Sequence, residues 1–415
     1  MTDGSTATDR AAVPAQRGAG EARPRRRRRA GARRLGVLVA ALVLLVLPPW
    51  WTLLAAGTDW PLPVVAAGTA ALVGWAVGFP FLMLAGHRSS SRDDRAARVA
   101  DTSLGVVWVL WTCSVLGAVA DGLLAGFGVG GSGGSGRARL VAAAVLVLAA
   151  VLLGWGYHEA MRVPRVRRLD VRLPRLGQGL DGLRVVLLAD THYGPIDRAA
   201  WSAKVTELVN TLDADVVVHA GDIADGTPER RRAQSAPLGA VRAGLARVYV
   251  TGNHEYGSEA QGWLDRMSEL GWDALHNRHL RVERGGDTLV LAGVDDVTAE
   301  SSGLAGHRAD LAAALAGADP ELPVLLVAHQ PKYVARAAEA GVDLQLSGHT
   351  HGGQIWPFRY LVRLDQPVVR GLSRHGDRTL LYTSGGTGFW GPPFRVFAPS
   401  EVTVLTLRAG GPEDQ

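Results

Sequence analysis

The pattern of hydrophobic and polar positions divides the chain into two parts. Residues 35–157 are mostly Leu, Val, Ala, Gly and Trp, with four long apolar stretches. Over residues 166–408, short apolar runs alternate with amphipathic segments, which is typical of buried strands between helices in an α/β layer. The sequence therefore predicts an all-α membrane region followed by an α/β domain.

Each apolar stretch is near or above the ~20 residues that a helix needs to cross the hydrocarbon core. Four in succession, without charges at their centres, favour membrane spans over buried helices. Asp121, near one end of the third, is predicted to lie at the membrane interface. Because of its basic start and apolar core, 23–56 is alternatively consistent with a cleaved signal peptide. The predicted spans are 35–57, 62–85, 103–129 and 139–157.

Arginine is distributed unevenly between the connections. The N-terminal tail, the 86–102 connection and the 162–175 segment are Arg-rich, whereas 58–61 has no Arg and 130–138 has one. Because basic connections favour the cytoplasmic side, we expect a multi-pass protein of the cell membrane with its α/β domain in the cytoplasm. Segment 162–175 is equally consistent with binding to anionic headgroups and with a solvated flank.

The net charge of +5 is concentrated in the N-terminal tail. Residues 1–34 contain ten Arg and three acidic residues, so the remaining chain carries about −2. Composition thus gives no support for nucleic-acid binding, and no obligate protein partner is indicated. The single cysteine, Cys113, excludes an intrachain disulfide. The predicted organisation is a disordered tail (1–34), the membrane region (35–157), a basic linker (158–165), the α/β domain (166–408) and a second disordered tail (409–415).

Five polar motifs follow apolar runs that are predicted as strands. Loops at strand ends are common positions for catalytic residues, because a rigid sheet holds them. Between these runs, helices are predicted over 198–212, 260–270, 307–317 and 332–341, and an edge strand is predicted at 169–173. The motifs are Asp190-Thr-His192, Gly221-Asp222, Gly252-Asn253-His254-Glu255, His329 and Gly348-His349-Thr-His351-Gly-Gly-Gln354.

The residue types and spacing in these motifs favour metal binding. Asp190 and His192 are two residues apart on a strand end, so their side chains point the same way and can chelate one ion. His349 and His351 repeat that spacing. The carboxylate of Asp222 can bridge two cations, with each oxygen binding one metal. A set of nitrogen and oxygen ligands without thiolate suits Mn, Fe, Co, Ni or Zn.

Single motifs also have structural explanations. Asn253 tolerates a left-handed turn, and an isolated His329 is more often a hydrogen-bonded core residue. Asp225 is predicted either to orient a ligand or to form a turn, and Glu255 to support its loop. The aromatic segment 389–394 is consistent with a substrate mouth, a lipid contact or loop packing. All five motifs together, each at a strand end, favour a metal-dependent site.

The motif series resembles the calcineurin-like metallophosphoesterase superfamily, and Gly-His-Thr-His-Gly-Gly-Gln resembles its membrane-associated bacterial branch. The resemblance covers roughly 166–408 and does not extend to the apolar stretches. It implies a four-layer α/β/β/α sandwich that hydrolyses phosphomonoesters, phosphodiesters or pyrophosphates with two divalent ions such as Mn, Fe or Zn. A bridging hydroxide between two metals is the expected nucleophile.

The resemblance also implies a role for each matching residue. His254 would contact substrate oxygens or protonate the leaving group. We therefore expect a membrane-anchored phosphohydrolase acting on a phosphorylated small molecule or lipid; the alternative is a non-enzymatic scaffold or sensor with the same fold. The implied metal ligands are Asp190, His192 and His351 for one ion, Asn253, His329 and His349 for the other, and Asp222 as the bridge.

Overall fold

The structure is a computed structural model that describes residues 22–87, 93–129 and 134–410. Four long helices occupy the first part of the chain. They are α1 (Ala22–Trp50), α2 (Leu62–Gly86), α3 (Arg95–Gly126) and α4 (Ser135–Met161). Each contains a stretch that is long and apolar enough to cross a membrane, by length and composition. These stretches overlap the four predicted spans, and the first continues from α1 through a π-helical turn to Ala55.

Two predicted boundaries differ from the structure. Helix α1 begins at Ala22, inside the predicted disordered tail, whereas residues 1–21 and 411–415 lie outside the described residues. Helix α4 continues to Met161 and the first strand begins at Arg165, so the predicted linker 158–165 is shorter than expected. Pro164 explains where the helix ends, because the residue before a proline is disfavoured in helical conformation.

The rest of the chain forms an α/β domain. Its helices are α5 (Ala199–Asn210), α6 (Pro228–Ser235), α7 (Asn253–Gly257), α8 (Ala260–Glu269), α9 (Leu311–Ala314), α10 (Val334–Glu339) and α11 (Arg359–Val362). Its strands are β1 (Arg165–Leu173), β2 (Leu183–Leu188), β3 (Val216–His219), β4 (Ala246–Tyr249), β5 (Asp273–Ala274), β6 (Arg278–Arg284), β7 (Asp287–Gly293), β8 (Val324–Val327), β9 (Leu344–Ser347), β10 (Gly371–His375), β11 (Thr379–Thr383) and β12 (Glu401–Ala409).

The strands form two six-stranded sheets, in the orders β1-β12-β2-β3-β4-β5 and β10-β11-β9-β8-β7-β6. Val185 and Val218 of the first sheet and Leu325 and Leu346 of the second belong to one fully buried cluster between them. Helices α5 and α8 cover the outer face of the first sheet, and α9 and α10 cover that of the second. The domain therefore has the predicted four-layer α/β/β/α architecture, stabilised mainly by burial of these apolar faces.

Most predicted elements of the domain correspond to observed ones. The helices predicted at 198–212, 260–270 and 332–341 are α5, α8 and α10, and the predicted edge strand is β1, at the end of its sheet. The helix predicted at 307–317 is reduced to α9. Its start is set by Asp310, whose side chain accepts a hydrogen bond from the backbone of Ala313, and a left-handed Gly317 follows its end.

The apolar helices pack directly on the α/β domain. On α3, a Cβ added at Gly105 would lie 2.5 Å from the ring of Phe394, so the backbone approaches that ring closely. The Trp108 indole donates a hydrogen bond to the carbonyl of Ile355 at 3.3 Å. On α4, the rings of Tyr157 and Phe394 lie 6.3 Å apart. The two parts of the chain therefore share an apolar interface.

Candidate metal centre

The polar motifs converge at one edge of the two sheets. Strands β2, β3 and β4 are mutually parallel, as are β7, β8 and β9. The carboxyl ends of parallel strands lie at the same edge, where open α/β sheets commonly bind ligands. Asp190, Asp222 and Asn253 follow strands of the first sheet, and His329 and His349 follow strands of the second. The two sheets thus present their loops to a common site.

Asp190, His192 and His351 form the first ligand group, with candidate ligand atoms within 4.8 Å of one another. Nε2 of His351 lies 3.1 Å from Nε2 of His192 and 3.8 Å from Oδ1 of Asp190. All three residues are buried. Metal–ligand bonds of about 2.0–2.2 Å place neighbouring ligand atoms roughly 3 Å apart, so these separations fit one bound ion.

Asp222, His329 and His349 form the second ligand group, again within 4.8 Å. Asn253 joins it, because its Oδ1 lies 2.8 Å from Nδ1 of His349 and 3.2 Å from Nε2 of His329. Nδ1 of His329 is 2.8 Å from the carbonyl oxygen of Ala220. A proton on that nitrogen directs Nε2 toward the group, as is usual for a metal-binding histidine. The two groups together contain all seven predicted ligands.

Asp222 lies between the two groups. Its Oδ2 is 3.5 Å from Nε2 of His192 and 3.1 Å from Nε2 of His329. Its Oδ1 accepts a hydrogen bond of 2.9 Å from the backbone N–H of His254. The predicted arrangement, in which each carboxylate oxygen binds its own metal, stays a prediction. Of the two oxygens, Oδ2 lies near histidines of both groups, and Oδ1 accepts the backbone hydrogen bond.

Five of the seven predicted ligands have left-handed backbone conformations. Their φ angles are 56° for Asp190, 43° for His192, 53° for Asp222, 72° for His349 and 50° for His351. Such a conformation is uncommon outside glycine and costs on the order of 1–3 kcal/mol per residue. Strain of this kind persists where the surrounding fold imposes it, and it concentrates at functional sites.

Two motif glycines allow close approach of the loops. A Cβ on Gly252 would lie 2.2 Å from Oδ1 of Asp222, and one on Gly348 would lie 2.6 Å from Oδ2 of Asp190. Both distances are shorter than non-bonded contacts permit. Any larger residue at either position would displace a carboxylate of the site.

Asp225 connects the first ligand group to His254. Its Oδ1 lies 3.2 Å from Nδ1 of His192 and 2.6 Å from Nδ1 of His254. One carboxylate therefore orients both imidazole rings and leaves their Nε2 atoms to face the site. The sequence was consistent with either an orienting role or a turn for Asp225. Its side-chain contacts with His192 and His254 are those of an orienting residue.

Glu255 holds the loop of Asp222. Its carboxylate accepts hydrogen bonds from the backbone N–H groups of Asp222, Ile223 and Gly252 at 3.0, 2.7 and 2.6 Å. Burial, followed by the charge of Asp222, raises the pKa of Glu255 to about 7. Its position matches the supporting role predicted from the sequence.

The carboxylates dominate the electrostatics of the centre. Burial opposes ionisation of Asp222, but His329 and His254 outweigh it and hold the pKa of Asp222 well below its ordinary value. Burial would lower the pKa of His254, yet Asp222 and Asp225 raise it to about 10. Burial lowers the pKa of His349 to about 3, which keeps that ring neutral. Neutral imidazole and ionised carboxylate are the forms that bind metal.

A cavity of about 1100 Å³ opens from the centre toward the apolar helices. Its lining includes Asp222, Asn253, His254 and His349 of the centre. It also includes Leu45, Met83, Leu104 and Trp108 of α1, α2 and α3. Candidate metal ligands and apolar helix residues thus line the same cavity. The cavity therefore has both polar and apolar residues in its lining.

The last motif extends to the aromatic segment. The Gln354 amide donates hydrogen bonds to the carbonyls of Trp390 and Pro392 and accepts one from the Trp390 backbone. The Trp390 ring then lies edge-on to His254, with 5.9 Å between ring centroids. Phe394 packs on Gly105 of α3. The aromatic segment thus lines the cavity with Trp390, Gly391 and Pro392 and packs on an apolar helix with Phe394.

The apolar helices contribute polar residues that the motifs did not indicate. His87 and Asp101 line the cavity, and Nε2 of His87 lies 3.0 Å from Oδ1 of Asp101. Asp101 also borders a cavity of about 10 Å³ shared with His192 and Asp225, which is about the space of one water molecule. No sequence signal marks these residues, because the contact depends on helix docking. Asp121 is paired with Arg137 at 2.8 Å, a partner that also follows only from the fold.

Comparison with known proteins places this centre in a family. The sequence model of the calcineurin-like phosphoesterase family matches residues 183–353. A Danio rerio transmembrane protein with metallophosphoesterase domain is 38% identical over 269 residues, covering 63% of this chain and 62% of the relative. The Bos taurus protein of that description is 37% identical over 294 residues, covering 69% and 66%. The chain thus spans just under two thirds of the length of these two relatives.

A bacterial relative covers a similar region. An uncharacterized metallophosphoesterase of Campylobacter jejuni is 35% identical over 265 residues, covering 64% of this chain and 68% of the relative. These likenesses and the two ligand groups agree with the resemblance in the motifs. The chain belongs to the calcineurin-like metallophosphoesterase family.

Proposed function

We propose that this protein is a membrane-anchored phosphohydrolase that uses two divalent metal ions to cleave a phosphoester or pyrophosphate bond. The observation that carries the proposal is Asp222 Oδ2, which lies 3.5 Å from His192 of the first ligand group and 3.1 Å from His329 of the second. Each group would hold one ion, with Asp222 shared. The mixed nitrogen and oxygen ligands fit Mn, Fe or Zn.

The two ions would supply Lewis acidity and lower the pKa of bound water, which provides hydroxide near neutral pH. The chain's own residues complete the site. Asp225 fixes the ring of His254 through Nδ1, so Nε2 is directed into the cavity. From there His254 would donate a proton to the leaving-group oxygen, as a general acid.

The cavity supports a substrate that carries an apolar chain. The residues of the ligand groups give its lining a polar part, and Leu45, Met83 and Trp108 of three apolar helices give it an apolar part. A phospholipid or a lipid-linked pyrophosphate has this division of polarity. A water-soluble phosphoester would fill only the polar part.

The α/β domain would face the cytoplasm. This orientation rests on the Arg-rich flanks of the predicted spans. In a Cys113→Ser background, a single cysteine at exposed Leu245 should react with a membrane-impermeant maleimide only after cells are permeabilised. Equal labelling of intact cells would place the domain on the outer side.

The direct test of the proposed chemistry uses the full-length protein in detergent with Mn. Hydrolysis of p-nitrophenyl phosphate and bis-p-nitrophenyl phosphate is measured together with bound metal. Asp222→Asn should abolish metal-dependent turnover of the preferred ester. Asp213→Asn is the matched control, because the Asp213 side chain is 76% exposed, and it should behave as wild type.

Each other outcome has a defined meaning. Absence of bound metal would contradict the enzymatic function and favour the scaffold or sensor. Full turnover by Asp222→Asn would reject the proposed role of Asp222 at the site of hydrolysis. Two bound ions without turnover of either ester would restrict the substrate to specific lipid phosphoesters or pyrophosphates. Dioctanoyl phosphatidic acid compared with glycerol phosphate then tests the apolar requirement; equal rates would remove the argument for a lipid.

A further inference from the structure

Residues 355–364 connect the α/β domain to the side of helix α3. The Trp108 indole donates a hydrogen bond to the carbonyl of Ile355. The ring of Phe358 lies edge-on to that of Trp108, with 5.8 Å between centroids. The short helix α11 (Arg359–Val362) follows directly. This segment, which we call the rim segment, is therefore fixed beside α3 at the level of Trp108.

The position of Trp108 along α3 sets the depth of the rim segment. Residues 102–120 of α3 contain no charge and, at about 1.5 Å per residue, span roughly 28 Å, close to the thickness of the hydrocarbon core. Trp108 is seven residues beyond Asp101, or roughly 10 Å along the helix. The contact with Phe358 thus lies within the charge-free part of α3, on the side of the bilayer nearest the α/β domain.

The loop that follows the aromatic segment gives an independent measure of depth on α4. The ring of Phe397, which is 61% exposed, lies 5.4 Å from the ring of Trp155. Trp155 is four residues before Glu159, or roughly 6 Å along α4. Two loops of the α/β domain therefore contact α3 and α4 at positions that lie within the apolar stretches, beyond the charged residues at the helix ends.

The rim segment has the composition of an interfacial anchor. Tyr360, Leu361 and Leu364 are 57%, 50% and 84% exposed within the chain. Arg359 and Arg363 alternate with them and are also exposed. Apolar and aromatic side chains interleaved with Arg bind the boundary between headgroups and acyl chains, where Arg can extend to anionic headgroups.

We propose that the rim segment inserts into the bilayer leaflet beside α3 and forms one edge of a lateral opening into the cavity. Its partner is the anionic phospholipid bilayer itself. Phe358 and Leu361 line the cavity together with Leu45 and Met83, so the opening lies between the rim segment and helices α1 and α2. The proposed insertion is argued from the position of the rim segment along α3 and from its exposed apolar side chains. The role of the opening in substrate entry rests on the proposed function.

Fluorescence quenching tests the insertion without any measurement of turnover. In a Cys113→Ser background, single cysteines at Leu361 and Leu364 are labelled with an environment-sensitive fluorophore in phosphatidylcholine/phosphatidylglycerol nanodiscs. Lipids that carry nitroxides on the acyl chain should remove most of the emission at both positions, and aqueous iodide should have little effect. Leu245, 45% exposed and just before β4 at the opposite end of the strands, is the matched control and should show the reverse.

Quenching of Leu364 by iodide to the extent seen at Leu245 would overturn the insertion. Hydrogen exchange of the unmodified protein gives a second measurement, independent of labelling. The backbone amides of residues 358–364 should exchange more slowly in nanodiscs than in a short-chain detergent. Identical exchange in both would also contradict the proposal.

A polar substitution tests the lateral opening. Leu364→Glu should lower turnover of dioctanoyl phosphatidic acid in nanodiscs several-fold relative to turnover of p-nitrophenyl phosphate. Leu245→Glu should keep the wild-type ratio of the two. An unchanged ratio in Leu364→Glu would reject the opening as the substrate route. Absence of turnover of both substrates by the wild type would instead be a failure of the proposed function and would leave the quenching result intact.

Discussion

The carboxylate of Asp94, directly before α3, accepts two hydrogen bonds from the guanidinium of Arg231 on α6, at 2.7 and 2.9 Å. Arg231 is buried, and its Nε also donates to the backbone carbonyl of Asp225 at 2.9 Å. The residue before α3 is therefore connected to His192 and His254 through Arg231 and Asp225. We therefore expect docking of the apolar helices and order at the candidate metal centre to be coupled through this arginine.

Substitution of Asp94 should weaken that coupling. Asp94→Asn leaves a buried guanidinium without its counter-charge, and hydrogen bonds to charged groups contribute about 1.5–3 kcal/mol. We expect a lower Tm in detergent and a lower kcat, whereas Asp213→Asn should change neither. A wild-type Tm and kcat in Asp94→Asn would contradict the coupling.

The effect of Asp94→Asn should also depend on pH. Burial opposes ionisation of Asp94, but its bonds to Arg231 and the charge of Arg230 prevail and hold its pKa below the ordinary value. The stabilisation is thus complete above the unfolded pKa and is lost as pH falls through the folded pKa. The Tm difference between wild type and variant should be full at pH 7 and should shrink below about pH 4. A constant difference down to pH 3 would show that charge is not its source.

Asp225→Asn should impair catalysis more than folding. The carboxylate orients the rings of His192 and His254, and loss of such a partner typically costs about 10–100-fold in activity or metal affinity. The measurement is kcat and bound metal at increasing Mn. Activity restored by excess Mn would assign the effect to His192, and a persistent loss at full metal content would assign it to His254. Wild-type activity and affinity would reject the orienting role.

His254→Ala distinguishes the two roles left open for this residue. A general acid matters most when the leaving group is poor, and general acid catalysis contributes about 10²–10⁴-fold. The loss of kcat should therefore be larger for phenyl phosphate than for p-nitrophenyl phosphate. An equal loss for both would favour contact with substrate oxygens. His375→Ala, at the end of β10, is the control.

The sequence predicted the fold, and it predicted residues that the structure brings together at one edge of the sheets, because both depend on local patterns. Apolar runs that end in Asp190, Asp222 or His329 indicate strands whose ends meet at one sheet edge. The same patterns carry no information about backbone φ angles, so the left-handed conformations of Asp222 and His349 were not foreseen. The hydrogen bond from the amide of His254 to Asp222 Oδ1 was not foreseen, because the two residues come from different loops.

Contacts between the two parts of the chain could not be read from the sequence. Arg231 lies 137 positions from Asp94, and Trp108 lies 247 positions from Ile355. Neither pair belongs to a motif, and each forms only when the helices dock. The cavity that joins the metal centre to α1, α2 and α3 is a product of that docking.

Gly252 should be essential because of its contact with Asp222. A Cβ at Gly252, directly before α7, would lie 2.2 Å from Asp222 Oδ1, whereas a Cβ at Gly257, the last residue of α7, meets nothing within 4 Å. Gly252→Ala should therefore lose metal and activity, and Gly257→Ala should retain both. The two variants are compared by metal content, kcat and Tm. Similar behaviour of the two would show that the Asp222 loop can move without loss of the site.

The close approach of α3 to the aromatic segment should be equally sensitive at Gly105. A Cβ there would lie 2.5 Å from the Phe394 ring and 2.8 Å from Pro392, whereas a Cβ at Gly122 of the same helix meets nothing within 4 Å. Overpacking of this kind typically costs about 1–3 kcal/mol. Because Gln354 holds the same loop at Trp390, displacement of Phe394 should also move Trp390 away from His254.

Gly105→Ala should thus lower both Tm and turnover, and Gly122→Ala should leave both near wild type. A lower Tm with unchanged turnover would show that the contact between Gly105 and Phe394 contributes to stability and not to activity. Loss of turnover at full metal content would show that the membrane helix positions the aromatic wall of the cavity. No change in either quantity would mean that the loop repacks and that α3 does not constrain the site.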